Sequence, residues 1–315
     1  MSLDPRTAAG NSDEWSDWLL THRHGGDAAY QRIVTQDVAR ICDRVLDGAQ
    51  LQPGNTLLDI GSGDGVIPFR AIDRIGPALH VIVTDISAPL LRHVEKVASE
   101  RGIRAQCTFL QASAEKLAGV GDASADVVTS RAVLAYVADK RAALQEFRRV
   151  LKPGGRISMA EPICQDQAFE AAALGKLIEA QPARPDIENL RLLHRWKSAQ
   201  FPATEEGIFN NPLVNYSERD LVQYLCQAGF VKIHLELHID VHPSLYTTWD
   251  VFLGTSLHPW APTGREILAK HFSPAERQLF ERTMRPLVES GQLTATDIIA
   301  YVTAEKSTLA SIACA

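Results

Sequence analysis

Long tracts of a single chemistry are missing from this 315-residue chain. No run of Lys or Arg forms a basic patch, and 32 basic against 38 acidic residues leave a formal charge of −6. Affinity for a phosphate backbone is built largely from basic side chains, so nucleic acid is not expected as a partner. The five cysteines (42, 107, 164, 226 and 314) form no C-x-x-C pair and no His-Cys ligand spacing. That scatter fits reduced thiols and speaks against a zinc site, so no metal is expected. No stretch approaches the roughly 20 apolar residues of a membrane span. The first 30 residues carry Asp, Glu, Arg and Trp where a signal peptide has an apolar core. These absences predict a cytoplasmic protein with no membrane partner. Internal repeats, low-complexity runs and flexible linkers are also lacking, and a 45% hydrophobic, 22% charged composition is that of an ordinary globular domain.

What is present is concentrated in the first half. The run Leu57-Leu58-Asp59-Ile60-Gly61-Ser62-Gly63-Asp64-Gly65 reads as an apolar strand, a turn with three alternating glycines and the start of a helix. Without a Cβ, such a turn lets a ligand lie directly against peptide units at the strand's carboxyl end. The spacing is G-x-G-x-G, which departs from the G-x-G-x-x-G of dinucleotide binding. Twenty residues on, His80-Val81-Ile82-Val83-Thr84-Asp85 reads as a second buried strand ending in an acid. A carboxylate there can accept from both hydroxyls of a ribose lying across the strand tips; its alternative is to cap the helix that begins at Ser87.

A third strand, 105–110, leads into Gln111-Ala112-Ser113-Ala114-Glu115, and a fourth, Asp126-Val127-Val128-Thr129-Ser130, into Arg131. Then come a helix over 139–150, the turn Leu151-Lys152-Pro153-Gly154-Gly155 and a fifth strand over 156–161. Glycine turn, acidic strand end, D-V-V strand and L-K-P-G-G turn, in this order from Thr56 to about Glu161, resemble the class I S-adenosylmethionine (SAM)-dependent methyltransferases. The strand-four tip lacks the Asn/Asp-Pro-Pro-Tyr of amino-methylating DNA enzymes. The resemblance implies a Rossmann-like α/β fold: a seven-stranded sheet with helices on both faces and a seventh strand antiparallel between the fifth and sixth. It implies SAM as cofactor, held by Asp59, Gly61, Ser62, Gly63 and Gly65, by Asp85 and Ile86, and by Ser113, Ala114 and Ser130. Ser113 stands where the family often has an Asp that meets the adenine amino group.

Outside that core the expected organisation is an N-terminal helical lid over 1–50, the SAM-binding core over 51–163, a substrate cap over 164–214 and completion of the sheet over 215–315. Trp15, Trp18, Leu19 and Leu20 need a surface to cover, and the Gly25-Gly26 pair offers a hinge. From Ala28 the spacing of Val34, Val38, Ile41 and Val45 predicts a helix. The insertion begins helically, with Phe169, Ala173, Leu177 and Ile178, and continues past Pro182 and Pro185. Ser217 and Ser273 head capping boxes, the second with Pro274 at the first helical position.

Methyl transfer is an in-line displacement, so the protein mainly aligns the acceptor and excludes water. A base is needed only if the acceptor must lose a proton. Glu161 at a strand tip, His24 and His194 are candidates for that base. Arg131 suits an acceptor carboxylate or a structural salt bridge with Glu161 or Asp59. Tyr30, Trp196 and Tyr216 are candidate pocket walls. The expected activity is methylation of a small-molecule substrate. The alternatives are cyclisation of SAM with release of methylthioadenosine, arsenite methylation through Cys42, Cys164 and Cys226, and a non-catalytic SAM-binding partner. A homodimer stays open.

Overall fold

The computed structural model describes residues 12–181 and 187–308; Pro182, Pro185 and Cys314 lie outside the described residues. Two helices, α1 (Glu14–Leu20) and α2 (Ala28–Ala49), precede the sheet. The alternating half is β1 (Thr56–Ile60), α3 (Val66–Ile75), β2 (His80–Asp85), α4 (Ala88–Glu100), β3 (Cys107–Gln111), β4 (Ala125–Arg131), α5 (Lys140–Val150) and β5 (Leu151–Pro162). Three helices follow: α6 (Gln165–Glu179), α7 (Ile187–Ser198) and α8 (Glu205–Asn210). The chain then forms α9 (Glu218–Gln227), β6 (Phe230–Pro243), α10 (Trp249–Gly254), α11 (Gly264–His271), α12 (Pro274–Glu289) and β7 (Thr294–Lys306). The strand order is β3-β2-β1-β4-β5-β7-β6, with β7 antiparallel to both neighbours. Because β1 and β4 are adjacent while their helices lie on opposite faces, a crevice opens at their carboxyl ends.

Both sheet faces are covered. One cluster joins Val38, Cys42 and Val45 of α2 to α3 and α4; the other joins Leu144 and Phe147 of α5 to Leu221 and Leu225 of α9. The capping boxes stand as expected, Ser217 with Asp220 on α9 and Ser273 with Glu276 on α12. The Lys-Pro-Gly-Gly turn lies inside a strand. Between the pairs Ala125–Leu151 and Val127–Arg156, β4 advances two residues and β5 five, so Lys152 to Gly155 bulge out. Lys152 ties the bulge to Asp126 at 2.8 Å.

Packing redraws the N-terminal grouping and shows how the cap is built. The stretch grouped as a lid divides, since α2 packs on β4, β5, β7 and α3 as a layer of the core, leaving only α1 and the turn after it above the strand tips. On α6, Phe169 and Leu177 face outward, while Ala168, Ala171 and Ala172 are buried. Small residues let α7 approach closely: a Cβ on Gly175 would sit 2.9 Å from Nε2 of His194. The cap has its own core, in which Leu192 and Trp196 of α7 pack with Trp249, Phe252, Ile267 and Phe280. It is therefore built jointly from the insertions after β5 and β6.

Candidate active site

The turn after β1 is made by backbone. Gly61, Gly63 and Gly65 have φ of 63°, 57° and 82°, a region costly for other residues. A Cβ on Gly61 would lie 2.5 Å from the Val133 side chain, so the turn is pressed against the loop after β4. Asp85 closes the turn: its Oδ2 accepts from Gly63 N at 2.9 Å and its Oδ1 from Ser87 N at 2.8 Å. Burial pushes the Asp85 carboxyl up, opposed by those backbone N–H groups. Ser62 donates from Oγ to the Asp59 carbonyl at 3.1 Å, and Asp59 accepts from Thr129 Oγ1 at 2.7 Å. Burial drives Asp59 up to about 7. Ile86 is exposed beside Asp85, Ala114 is buried, and Ser113 accepts from Glu115 N at 3.2 Å.

This half fits the methyl donor that the sequence implies. The glycines leave peptide units uncovered, and each Asp85 oxygen, with one donor, keeps a lone pair for a ribose hydroxyl. Asp59 and Ser62 fit differently: both are buried and hold β1 to its neighbours from behind the turn.

The tips of β4 and β5 are organised by Glu161. Its side chain is fully buried and accepts from Ser130 Oγ at 3.1 Å and from the backbone N–H groups of Val133 and Leu134 at 3.0 Å each. Burial pushes it up to about 7. Between Arg131 and Val133, Ala132 adopts φ 53°, a left-handed conformation that non-glycine residues rarely take. Glu161 thus anchors a strained corner. This corrects two expectations: Glu161 is enclosed by donors where a base must be open to the acceptor, and Ser130 is spent on Glu161. Arg131 sits at the end of β4, half-buried, and among the described residues it forms no ion pair with Glu161 or Asp59.

The N-terminal segment closes over these tips. Asp13 caps α1 and accepts from Ser87 Oγ at 3.0 Å, and Trp18 donates to the Ser256 carbonyl at 3.0 Å. Leu19 lies where a Cβ on Gly63 would meet it at 3.0 Å. Trp15, Tyr136 and Trp260 pack edge to face with centroids 5.1 to 6.1 Å apart, joining α1, the loop after β4 and the cap. Gly25 and Gly254 are in backbone contact, so the expected hinge is clasped by the cap.

The remaining candidates disperse. Trp196 stacks on Phe252 and Phe280, and Tyr216 is fully buried with its hydroxyl donating to the Pro162 carbonyl at 2.7 Å; both are core and not pocket wall. Tyr30 is buried and stacked on Tyr246. His24 is buried near Arg23 and Asp64, and burial lowers its pKa; its Nδ1 has no partner among the described residues. His194 packs on α6, away from the strand tips. Cys42 and Cys164 belong to clusters on opposite faces of the sheet, so the thiols arsenite chemistry needs do not converge. Burial raises them to about 11 and about 12, away from the reactive thiolate. Sequence reasoning passed over Arg23, Tyr136 and Trp260, whose places depend on long-range packing.

Residues 51–199 match a family model described as a methyltransferase domain. The nocamycin O-methyltransferase of Saccharothrix syringae is 28% identical over 84% of this chain and 89% of its own length. The ubiquinone/menaquinone biosynthesis C-methyltransferase UbiE of Ectopseudomonas mendocina is 37% identical, over 35% of this chain and 43% of its own. Among solved structures, the Haemonchus contortus phosphoethanolamine N-methyltransferase 2 bound to SAM superposes with a TM-score of 0.50. It is 15% identical over 96% of this chain and 58% of its own, a likeness of fold. Residues 51–199 are thus a methyltransferase domain, and the fold and glycine turn around it are those the resemblance to class I SAM-dependent methyltransferases implies.

Proposed function

We propose that the acceptor is a small molecule methylated on oxygen. The observation that carries this reading is the reach of the nocamycin O-methyltransferase match, 84% of the chain, which takes in the cap as well as the core. The C-methyltransferase match spans only 35%. When bound, SAM supplies an electrophilic methyl on a positively charged sulfur. Asp85 would hold its ribose and the peptide units of Gly61 and Gly63 would lie against it. Glu161 fixes the loop bearing Val133 and Leu134, and the Trp15–Tyr136–Trp260 wall keeps water from the transfer end. Arg131 faces the acceptor.

Mass spectrometry of the protein incubated with SAM alone tests the reaction class. SAM or S-adenosylhomocysteine retained without turnover is expected; methylthioadenosine above the spontaneous background overturns methyl transfer in favour of SAM cyclisation. Asp85→Ala should abolish SAM binding in calorimetry with the circular dichroism unchanged, and unaltered affinity sinks the ribose assignment.

Cytoplasmic placement is part of the same proposal, supported by the absence, among the described residues, of a helix long and apolar enough to cross a membrane. So is a homodimer. β6 is an edge strand with Ile239 and Val241 58% and 68% exposed. Antiparallel self-pairing about Leu237 would set Ile239 against Leu235 and His238 against Glu236 of the second copy. Light scattering that finds only monomers removes it.

A further inference from the structure

Ten arginines are half-buried among the described residues, and eight of them are satisfied there. Arg44, Arg70, Arg149, Arg156, Arg191 and Arg195 pair with carboxylates, and Arg148 and Arg277 donate to backbone carbonyls. Arg23 and Arg131 have neither kind of partner among the described residues, and both lie at the strand tips. Arg131 ends β4, and Arg23 follows α1 in the short turn 22–24, its guanidinium 5.5 Å from the centre of the Trp18 ring. Repulsion from Arg131, second only to burial, pulls Arg23 down to about 10, so the two cations lie near enough to repel. Tyr136, whose ring packs edge to face on Trp15 and Trp260, is an electrostatic neighbour of both.

The carboxylates that would neutralise such a pair are engaged elsewhere. Asp59 accepts from Thr129, Glu161 from Ser130 and two backbone N–H groups, and Asp85 from Gly63 and Ser87. Asp64, the acid that attracts Arg23, makes no ion pair with it within 4 Å among the described residues. Two uncompensated cations in a half-buried place are costly unless an anion joins them.

We propose that Arg23 and Arg131 form an oxyanion clamp, and that the acceptor is a molecule whose reacting oxygen is already ionised, a carboxylate or an acidic enol. The proposal rests on the methyltransferase reading and narrows its substrate class. It also fits the enclosure of the candidate bases at the strand tips, since Glu161 is surrounded by donors and His24 is buried. Transfer to an oxyanion forms one C–O bond and breaks one C–S bond, the electron pair staying on sulfur, and no proton has to leave. An amine acceptor would bring a positive charge beside two others.

The test is calorimetric titration of the full-length protein, loaded with S-adenosylhomocysteine, with sodium benzoate, the enolate of dimedone and neutral benzamide. At least one anion should bind about tenfold or more tighter than benzamide, since a charge-assisted hydrogen bond is worth that much. Benzoate above dimedone points to a carboxylate acceptor, and the reverse to an enolate. Arg23→Gln and Arg131→Gln should each weaken the anion about tenfold while S-adenosylhomocysteine affinity stays within about twofold, and the Lys variants should restore part of the loss. Benzamide binding as well as both anions, no binding of any probe, or Gln variants indistinguishable from wild type would overturn the clamp. Failure to bind S-adenosylhomocysteine would strike the methyltransferase reading itself, a step earlier.

Discussion

The two halves of the site stand side by side on one sheet and are built in opposite ways. At the tips of β1 and β2, a turn of three glycines and one acid, Asp85, is assembled from backbone groups and segments that neighbour each other in sequence. At the tips of β4 and β5, a buried side chain from one strand holds a strained corner on another, and Arg131 there repels Arg23, 108 positions earlier in the chain. The first half needs little from the rest of the protein. The second depends on distant parts of the chain, which is where one family member can differ from the next. Gly61 couples the two, because any side chain there would strike Val133, whose N–H donates to Glu161.

The harshest way to break this contrast is Glu161→Ala. Three buried donors, the Ser130 hydroxyl and the N–H groups of Val133 and Leu134, would lose their acceptor together, and Ala132 would lose what keeps it at positive φ. Unsatisfied buried donors cost about 1–3 kcal/mol each, so a loss of about 3–5 kcal/mol in urea unfolding is expected after partial relaxation. A loss under about 1 kcal/mol would mean that the corner holds itself, and the second half would then be as local as the first.

The same contrast explains what could be read from sequence. The strand order, the glycine turn, the place of Asp85 at the end of β2 and the capping boxes at Ser217 and Ser273 rest on near neighbours and on backbone conformations that few residues allow, and the structure has them as expected. The aromatic candidates failed because a Trp or Tyr reports only that it will be covered. Trp196 is covered by Phe252 and Phe280 inside the cap, and Tyr216 by the main core. On α6 the large apolar residues Phe169 and Leu177 face outward and alanines take the buried face, because α7 packs close. Glu161 was visible as an acid at a strand tip, but whether it faces the crevice or the loop behind depends on Ser130, 31 positions away. Arg23 carried no signal beyond a cation near two tryptophans, since its significance is the absence of a partner among the described residues.

The gentlest probe is pH. Each half has a carboxyl that burial drives to about 7, Asp59 behind the glycine turn and Glu161 behind the strained corner, from ordinary values of 3.8 and 4.5. Between those limits the unfolded chain has released protons that the folded chain retains. It therefore binds fewer, and stability falls as pH rises from about 4 to 7, by at most about 1.4 kcal/mol per pH unit for each group. Above 7 both states are ionised and the slope ends. Asp59→Asn and Glu161→Gln imitate the protonated forms, so each should flatten the decline measured by urea unfolding at stepped pH. Asp85, also raised by burial, should leave a residual slope of the same sign. If Glu161→Gln flattens the profile and Asp59→Asn does not, the proton is stored at the transfer end alone, and the glycine-turn half is the less strained of the two. If neither substitution changes the slope, both carboxyls are ionised in the folded protein and their hydrogen-bond donors outweigh burial.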